Sequence, residues 1–330
     1  MRKRIHILAM GGTIAGKAGD SAATTGYQAG AVGVEELIAA VPQIKDVAEV
    51  TGESIAAIDS KDITAEEQLR LAGRVRELLL KGDVDGIVVT HGTDTMEESA
   101  YLLDLLHFAD KPVVFTGAMR PATALSADGP LNLLDAVRVA ANNQARDRGV
   151  LVVLNNAIHS ARLVTKISTT AVETFQSPNG GAIGAVNDGA VVFYHSAELH
   201  HLPNALRVSE QLTGQGELPY VPILYGYSDD DGRLVESVVE NGAKAIVYAG
   251  MGNGSIPERV EKELAAAVKK GLWVIRASSS ALGMVTRAED SYEQAGFIAS
   301  GLINPRKARL LLQVAKSCGL TPEVWQKFLG

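Results

Sequence analysis

Residues 88–98 read Val-Val-Thr-His-Gly-Thr-Asp-Thr-Met-Glu-Glu, and no other stretch of the sequence is as informative. Its apolar start predicts a strand that runs directly into the adjacent Thr93 and Asp94. A helix is expected to follow, with Thr95 and Glu98 as its capping box. In open α/β sheets, ligands bind where strands end and helices begin. A hydroxyl and a carboxylate that lie together at such an edge therefore indicate catalytic residues.

The first predicted strand of the chain repeats this arrangement. It covers residues 5–10 and leads into Gly11-Gly12-Thr13. Threonines at the ends of two strands suggest a hydroxyl nucleophile and a hydroxyl relay. The following residues, 17–33, are rich in Gly, Ala, Ser and Thr, with Tyr27 as the only aromatic residue. They predict either a mobile lid that carries Tyr27 over the site or an ordinary flexible loop.

Composition and charge disfavour several classes of protein. The chain has 330 residues, 46% of them hydrophobic, which suits two domains with normal cores. A formal charge of −7 argues against a nucleic-acid partner, and no apolar run approaches the roughly 18 residues of a membrane span. The single Cys318 rules out an internal disulfide framework and cysteine-based zinc spacing. The apolar run after Arg2-Lys3-Arg4 is too short for a secretory signal, so we expect a cytoplasmic chain, or a periplasmic one if it has been trimmed.

Short apolar strands alternate with amphipathic helices, which is the βαβ pattern of a parallel sheet. We expect an α/β fold, with a larger N-terminal domain whose mostly parallel sheet is flanked by helices and a smaller C-terminal α/β domain with a parallel sheet. The predicted domains are residues 1–197 and 220–330, joined by a linker over 198–219 where the periodicity is lost. Residues 182–194, with Asn187-Asp188-Gly189 between two apolar runs, predict a β-hairpin at the sheet edge. The predicted strands are 5–10, 47–58 (weaker), 86–90, 112–116, 149–154, 221–226, 244–249 and 272–277, and the predicted helices are 64–80 (opened by a capping box of Thr64 and Glu67), 94–107, 130–144, 232–241, 256–270, 305–317 and a short one after Thr321.

Two glycine-rich segments approach nucleotide-binding loops but lack essential parts. Residues 11–17 are close to a P-loop, yet Ala18 stands where a hydroxyl would hold Mg²⁺, and poor helix formers follow. Residues 249–255 lie between a strand and a helix, with Ser255 and Glu258 predicted as its cap. Their glycine spacing is wrong for a dinucleotide, and no acidic residue ends the next strand. This segment predicts either a turn that binds a carboxylate or a plain tight turn.

Lys166 is a further candidate group. A lone lysine is usually solvated, but beside Thr93 and Asp94 its amine could move a proton onto or off a nucleophile, as in a triad without histidine. We assign His91 a structural hydrogen-bonding role. The adjacent pair His200-His201 has no third ligand at usable spacing, so we expect no metal site.

Together these motifs resemble the bacterial-type asparaginases, specifically the periplasmic (type II) asparaginase and glutaminase-asparaginase group, over nearly the whole chain. The motifs that carry the resemblance are Gly11-Gly12-Thr13-Ile14-Ala15-Gly16, Thr25-Gly26-Tyr27, His91-Gly92-Thr93-Asp94-Thr95, Ala118-Met119-Arg120-Pro121, Ser126-Ala127-Asp128-Gly129, Thr165-Lys166, Gly250-Met251-Gly252-Asn253-Gly254 and Asn304-Pro305.

The resemblance implies an amidohydrolase that converts L-asparagine to L-aspartate and ammonia, with glutaminase activity left open. Thr13 would be the nucleophile, assisted by Tyr27, and Thr93, Asp94 and Lys166 would form a second catalytic group. Amide hydrolysis also needs an oxyanion stabiliser and a proton donor for ammonia. Backbone N–H groups in the turn that follows the strand over 86–90 are the expected oxyanion donors. This chemistry calls for no metal or other cofactor.

The resemblance also implies a substrate-binding set and a partner. Ser60 and Asp94 would hold the α-carboxylate and α-amino groups of the substrate. Ser255 and Glu289 would be contributed by a neighbouring subunit of a homotetramer, built as a dimer of intimate dimers. The implied binding residues are Ser60, Lys61, Gly92, Thr93, Asp94, Ser255 and Glu289. We expect a small amino acid amide as substrate and neither nucleic acid nor a membrane as partner.

Three residues depart from the family's pattern. Lys61 stands where a Gln or Glu that touches the substrate amine is usual, and a cation there repels an ammonium group unless its side chain points away. Asp59 stands where a small residue is common and would neutralise Lys61. Ser255 replaces the Asn of strict asparaginases, as in members that also accept glutamine. Two other functions stay open: an amino-acid-binding sensor without turnover, and an amidase for another small amide.

Overall fold

The candidate site lies at one end of the sheet of the N-terminal unit, where five parallel strands end side by side. The structure is a computed structural model that describes residues 2–16, 30, 32–195 and 202–329. Contacts between residues divide the chain into two units, Met1–Gly216 and Glu217–Gly330. The larger unit has a mixed, largely parallel sheet and the smaller one a parallel sheet, both with packed helices, which confirms the predicted fold class.

The first unit is built on an eight-stranded sheet. The strands of this unit are β1 (Lys3–Gly11), β2 (Ala48–Ile58), β3 (Gly86–Thr90), β4 (Val113–Thr116), β5 (Val150–Leu154), β6 (Ala157–Ser160), β7 (Thr165–Lys166), β8 (Phe175–Gln176), β9 (Gly184–Asn187) and β10 (Ala190–Phe193). The sheet has the spatial order β10-β9-β6-β5-β4-β3-β1-β2. The pairings from β2 to β5 are parallel and those from β5 to β10 are antiparallel. β7 and β8 form a separate antiparallel ladder.

Helices pack on the faces of this sheet. They are α1 (Val34–Ala39), α2 (Ile44–Val47), α3 (Ala65–Lys81), α4 (Met96–Leu105) and α5 (Gly129–Ala141), whereas α6 (Ala205–Gln215) packs on α3. β3, β4 and β5 are buried along their whole lengths, as expected for parallel strands covered on both faces. Ile7, Val88, Val114, Leu133 and Val137 belong to one core cluster, which joins α5 to the sheet. Each such buried aliphatic side chain contributes about 1.5–3 kcal/mol.

The register of the central strands brings two turns to the same level. Ile5 of β1 pairs with Gly86 of β3, and Ala9 pairs with Thr90. The two strands therefore leave the sheet side by side, and the residues that follow them face each other.

The second unit has a four-stranded parallel sheet of its own. Its elements are α7 (Arg233–Glu240), α8 (Glu258–Lys269), α9 (Asp290–Gln294), α10 (Pro305–Cys318) and α11 (Pro322–Trp325), with β11 (Ile223–Tyr225), β12 (Ala245–Gly250), β13 (Trp273–Ser278) and β14 (Phe297–Ala299). The strands lie in chain order. A cluster of buried side chains from α7, α8 and the sheet forms the core of this unit.

The predicted hairpin over 182–194 is confirmed. β9 and β10 pair through Asn187 and Ala190, and β10 is the edge strand. Between them Asp188 and Gly189 have φ angles of 47° and 80°. Positive φ at both central residues is the signature of a type I′ turn, which matches the twist of the paired strands.

The prediction of an irregular linker over 198–219 is wrong for residues 205–215, which form α6 and pack against α3. Val208 and Leu212 are buried and lie one helical turn apart. This short apolar stripe is flanked by His, Pro, Asn and Gly, whose abundance outweighs it when composition is averaged over the segment.

The capping boxes had different outcomes. The box at α3 is confirmed, because the backbone N–H and the hydroxyl of Thr64 both donate to the Glu67 carboxylate. The box at α4 is wrong: Thr95 occupies the N-cap position without a side-chain capping bond, and its hydroxyl donates to the carbonyl of Ser60. The cap at α8 is also wrong. That helix begins after Pro257, so Ser255 lies too early to cap it.

Candidate active site

The ends of β1 and β3 touch through two glycines. Gly12 has a φ of 81°, and a Cβ on it would lie 2.3 Å from the Cα of Gly92. Only a residue without a side chain permits this approach. Thr13 and Thr93 directly follow the two glycines, and both are buried. The structure therefore brings the two predicted threonines to the same point of the sheet edge.

Lys166 reaches this point from β7. Its Nζ donates to Thr93 Oγ1 at 2.9 Å and to Asp94 Oδ1 at 2.7 Å. The lysine and aspartate form an ion pair in which the lysine side chain is mostly buried and the aspartate side chain is half exposed. The predicted acid, hydroxyl and amine are thus in hydrogen-bond contact, and two oxygens from the turn after β3 hold the amine.

Ser60 lies against the turn that follows β3. It begins a short 3₁₀ helix after β2 and is 2% exposed. Its hydroxyl accepts a hydrogen bond from the Asp94 N–H at 3.2 Å, and its carbonyl accepts one from Thr95 Oγ1 at 2.8 Å. A Cβ on Gly92 would lie 2.6 Å from Ser60 Oγ, so this glycine makes room for the serine. Three segments, after β1, β2 and β3, therefore converge.

The side chain of Lys61 is engaged by neighbouring carboxylates. Its Nζ lies 2.7 Å from Asp59 Oδ2 and 3.2 Å from Asp62 Oδ2. These contacts, the Asp59 hydrogen bond foremost, raise the pKa of the Lys61 ammonium above its ordinary value. The neutralising role expected for Asp59 thus has its geometric counterpart, and the three side chains together carry a net negative charge beside Ser60.

His91 is completely buried beneath the turn, and both of its ring nitrogens have partners. Nδ1 lies 2.7 Å from the carbonyl of Gly92, which can only accept, so Nδ1 carries the hydrogen. Nε2 therefore accepts from the hydroxyl of Ser99 at 2.9 Å, and Ser99 in turn accepts from Gln68. Burial lowers the pKa of His91 to about 4, so the ring is neutral. These contacts match the structural role assigned from the sequence, although Ser99 and Gln68 were not foreseen.

Asp128 holds the loop at the end of β4. Its carboxylate accepts from the backbone N–H groups of Met119 and Arg120 at 2.9 Å each, and from Asn132 at 3.1 Å. The motif that contains Asp128 contributed to the family resemblance, but this role of Asp128 was not predicted from the sequence. The local signal is an aspartate just before a glycine-proline helix start, which is a common site for backbone-directed hydrogen bonds.

Ser255 and Glu289 belong to the second unit. Ser255 is exposed and forms an isolated bridge with Met251. Glu289 is exposed and precedes α9. The buried Arg276 donates to the carbonyls of Asn253 and Thr286, which ties together the two loops that carry these residues.

The same two loops are joined directly as well. Asn253 Nδ2 donates to Thr286 Oγ1, and the Thr286 N–H donates to Asn253 Oδ1, both at 2.9 Å. Ser255 and Glu289 thus lie on segments that Arg276, Asn253 and Thr286 hold as one assembly.

Some residues singled out in the sequence are not among those that the structure describes. Tyr27, with Thr25-Gly26, and the pair His200-His201 lie outside the described residues. Within the part of the chain that is described, no group of three or more His, Cys, Asp or Glu side chains could hold a metal ion. None of the helices seen there is long and apolar enough to cross a membrane.

Comparison with protein families and curated proteins gives concordant matches. Residues 4–199 match the family described as "Asparaginase, N-terminal", and residues 220–329 match the "Glutaminase/Asparaginase C-terminal domain". The chain is 47% identical over 326 residues to L-asparaginase 2 of Bacillus subtilis (strain 168), which covers 99% of this chain and 86% of that protein. It is 43% identical over 314 residues to a glutaminase-asparaginase of Pseudomonas fluorescens biotype A, covering 94% and 85% respectively.

Among solved structures, the chain is similar to the crystal structure of a probable cytoplasmic L-asparaginase from Campylobacter jejuni. The TM-score is 0.92 at 44% sequence identity, and the alignment covers 99% of both chains. The likeness thus extends over both units and includes the sheet edge described above.

Proposed function

This chain belongs to the asparaginase family, and from this premise we propose that it hydrolyses L-asparagine to L-aspartate and ammonia, with L-glutamine as a second, poorer substrate. The observation that carries the proposal is the contact of Lys166 with Thr93 and Asp94 at a buried strand end. Thr13 stands across a pair of touching glycines from this group. Amide hydrolysis requires such a nucleophile next to a proton-transferring group.

In the first half of the reaction, Thr13 Oγ attacks the side-chain amide carbon of the substrate. The carbon–nitrogen bond breaks, the hydroxyl hydrogen of Thr13 ends on the departing nitrogen, and ammonia leaves. The aspartyl group is then held as an ester on Thr13. In the second half, water attacks the ester carbon, which releases L-aspartate and returns a hydrogen to Thr13. We assign Tyr27 the task of assisting the first proton transfer.

Lys166 and Asp94 orient the hydroxyl of Thr93. Because Lys166 Nζ donates to Thr93 Oγ1, the hydroxyl hydrogen of Thr93 is directed away from the lysine. It is therefore available to a nitrogen or oxygen in the site. Thr93 serves as a relay: in the first half it passes its proton to the leaving nitrogen and takes up the one that Thr13 gives up, and in the second half it passes a proton to Thr13 and takes one from the attacking water. In net, one hydrogen moves from Thr13 to nitrogen, and later one moves from water to Thr13. Asp94 keeps the lysine in place through the ion pair.

The turn after β3 supplies the oxyanion donors. The N–H of His91 donates to the Thr116 carbonyl, and the N–H of Asp94 donates to Ser60 Oγ. We therefore assign the oxyanion to the N–H groups of Gly92 and Thr93. Donors that are fixed in place before reaction stabilise developing charge most effectively.

The α-groups of the substrate bind beside Ser60. Because its hydroxyl oxygen accepts from the Asp94 N–H, its hydrogen can be donated to the substrate carboxylate. The Asp94 carboxylate attracts the substrate ammonium group. Gly92 and Lys61 border this position, and the carboxylates around Lys61 offset its charge.

We further propose that the active enzyme is a homotetramer. In this assembly Ser255 and Glu289 of a neighbouring subunit complete each site, with Glu289 near the substrate amine. Ser255 in place of Asn is the feature that favours activity on glutamine. We propose a cytoplasmic location, which cell fractionation tests against a periplasmic one.

An ammonia-release assay with asparagine, glutamine and the two D-isomers tests the proposed reaction. Thr13→Ala and Thr93→Val are each expected to lower kcat by about 10³-fold or more, because each removes a group that acts on the reacting atoms. Thr213→Val, a threonine substitution in α6, is the control and should retain full turnover. Calorimetry of asparagine binding then distinguishes a catalyst from a protein that binds the amino acid without turnover.

Normal turnover by both active-site variants would refute the assigned roles. Heat of asparagine binding by the wild-type protein without ammonia production would instead identify an amino-acid sensor. Turnover of another amide, with asparagine inert, would identify a different amidase.

A further inference from the structure

We propose that Thr95 is a positioning residue that fixes Ser60 for recognition of the substrate's α-carboxylate. This inference rests on the proposed function, since it assigns Ser60 to that carboxylate. It concerns a hydroxyl group that the mechanism does not use, placed between two of the segments that converge at the sheet edge.

Two hydrogen bonds clamp Ser60 to the turn after β3. The Asp94 N–H donates to its hydroxyl at 3.2 Å, and Thr95 Oγ1 donates to its carbonyl at 2.8 Å. One bond therefore holds the side chain and the other holds the backbone. The two donors are consecutive residues, so a single turn sets both the position and the orientation of Ser60.

The side chain of Thr95 serves this neighbouring segment in place of its own helix. A threonine at an N-cap normally accepts from an N–H of the first helical turn. Thr95 occupies that position at α4 but makes no such bond. Thr64 is the contrasting case at α3, because its side chain takes part in a capping box. The chain thus contains two N-cap threonines with different tasks.

The clamp acts on substrate affinity more than on the chemical step. Ser60 is buried against Gly92, which leaves little space around its hydroxyl. The Ser60 carbonyl also accepts from the Ile63 N–H at 3.3 Å, so losing the Thr95 bond loosens this backbone without releasing it. The hydroxyl then meets the carboxylate less often in the correct direction. The contact between Lys166 and Thr93 does not pass through Thr95. KM should therefore change while kcat is kept.

The matched variants Thr95→Val and Thr95→Ser test the proposal. Thr95→Val removes the donor at almost constant shape and should raise KM for asparagine about five- to tenfold, the factor for one lost hydrogen bond of about 1–1.4 kcal/mol. The dissociation constant of the product L-aspartate, measured by calorimetry, should rise in parallel, with kcat within about twofold of wild type. Thr95→Ser keeps the donor and should restore both values.

Thr64→Val is the control for loss of an N-cap threonine. Thr64→Val should lower the unfolding midpoint and leave KM unchanged. If Thr95 had only a structural role, Thr95→Val would give this same result. If Thr95→Val does not fold, Thr95→Ala provides the same measurement without the added methyl group. An unchanged KM in a folded Thr95 variant, or no recovery in Thr95→Ser, overturns the proposal. Failure of the proposed function is distinct, because the wild-type protein would then release no ammonia.

Discussion

At the scale of single residues, the site depends on groups that keep one protonation state. His91 shows this most clearly, because its neutral ring bridges Gly92 and Ser99 and no charged partner compensates a proton in the contacts described above. The imidazole thus supports the turn that carries the residues proposed to bind the substrate and to catalyse its hydrolysis. Its protonation should weaken that support.

The pH dependence of stability should report the burial of His91. Its pKa is about 4 in the folded protein and 6.5 for a free side chain. Between these values the unfolded chain binds a proton that the folded chain does not, so stability decreases as pH falls through this window. The total decrease is about 3 kcal/mol. Urea unfolding midpoints at pH 7, 5.5 and 4, at one protein concentration, measure it.

His91→Gln is the comparison for this measurement, because an amide can bond in place of the ring without titrating. The variant should show a shallower decrease than the wild-type protein across the same pH range. Equal slopes for the two proteins would assign the acid sensitivity to other groups.

Residues that follow strands were predictable, and residues that support them were not. Thr13, Thr93 and Asp94 were candidates because polar side chains directly after apolar strands lie where ligands bind in open α/β sheets. Lys166 became a candidate only in combination with them. Ser60 came solely from the family resemblance, since β2 is a weakly apolar edge strand with a poor periodic signal. No sequence pattern links Thr95 to the backbone of a residue 35 positions away.

At the scale of elements, several long strands and helices could be predicted from their own hydrophobic pattern. β3 has the predicted bounds, α10 differs from the prediction by one residue at its C-terminal end, and α3 differs by one residue at each end. The elements that were missed, apart from α6, have six residues or fewer, which is too short to show a period. They are α1, α2, β6, β7, β8, α9 and β14.

The contact between the ends of β1 and β3 should tolerate no side chain. Gly12→Ala would place a Cβ 2.3 Å from the backbone of Gly92 in a residue with positive φ. We expect loss of activity and a loss of stability of about 2 kcal/mol or more, because backbone must move to relieve the overlap. Ammonia release and urea unfolding measure the two effects.

Gly82→Ala separates steric overlap from backbone strain. Gly82 ends α3 with a φ of 75°, and a Cβ there would meet nothing within 4 Å. This control should lose about 1 kcal/mol and keep full activity. If Gly12→Ala behaved like Gly82→Ala, the touching strand ends would not determine the site.

At the scale of the whole molecule, each unit has its own sheet and core. The first unit contains the residues assigned to bond making and breaking. The second contains the loops that Arg276 holds together, with Ser255 and Glu289 on them. The division into two units was visible in the sequence as two runs of strand–helix alternation, whereas the proposed oligomeric state comes only from the family resemblance.

Mixing two inactive variants tests whether subunits share sites. Thr13→Ala and Glu289→Gln are each expected to be nearly inactive alone. If Glu289 serves a neighbouring subunit, half of randomly paired dimers are hybrids and each hybrid has one intact site, so co-expression should recover about a quarter of wild-type activity. Ammonia release from the purified mixture measures this. Activity no greater than the sum of the separate variants would place both residues in one subunit's site.

The close approach of Gly12 and Gly92 has a practical consequence for protein engineering. Contact between the main chains at Gly12 and Gly92 sets the spacing of Thr13 and Thr93. This spacing therefore does not depend on the side chains that surround the site. Libraries that vary the side chains of Asp59, Lys61 and Asp62 can therefore change substrate preference while the spacing of Thr13 and Thr93 is kept. Positions 12 and 92 belong outside any such library.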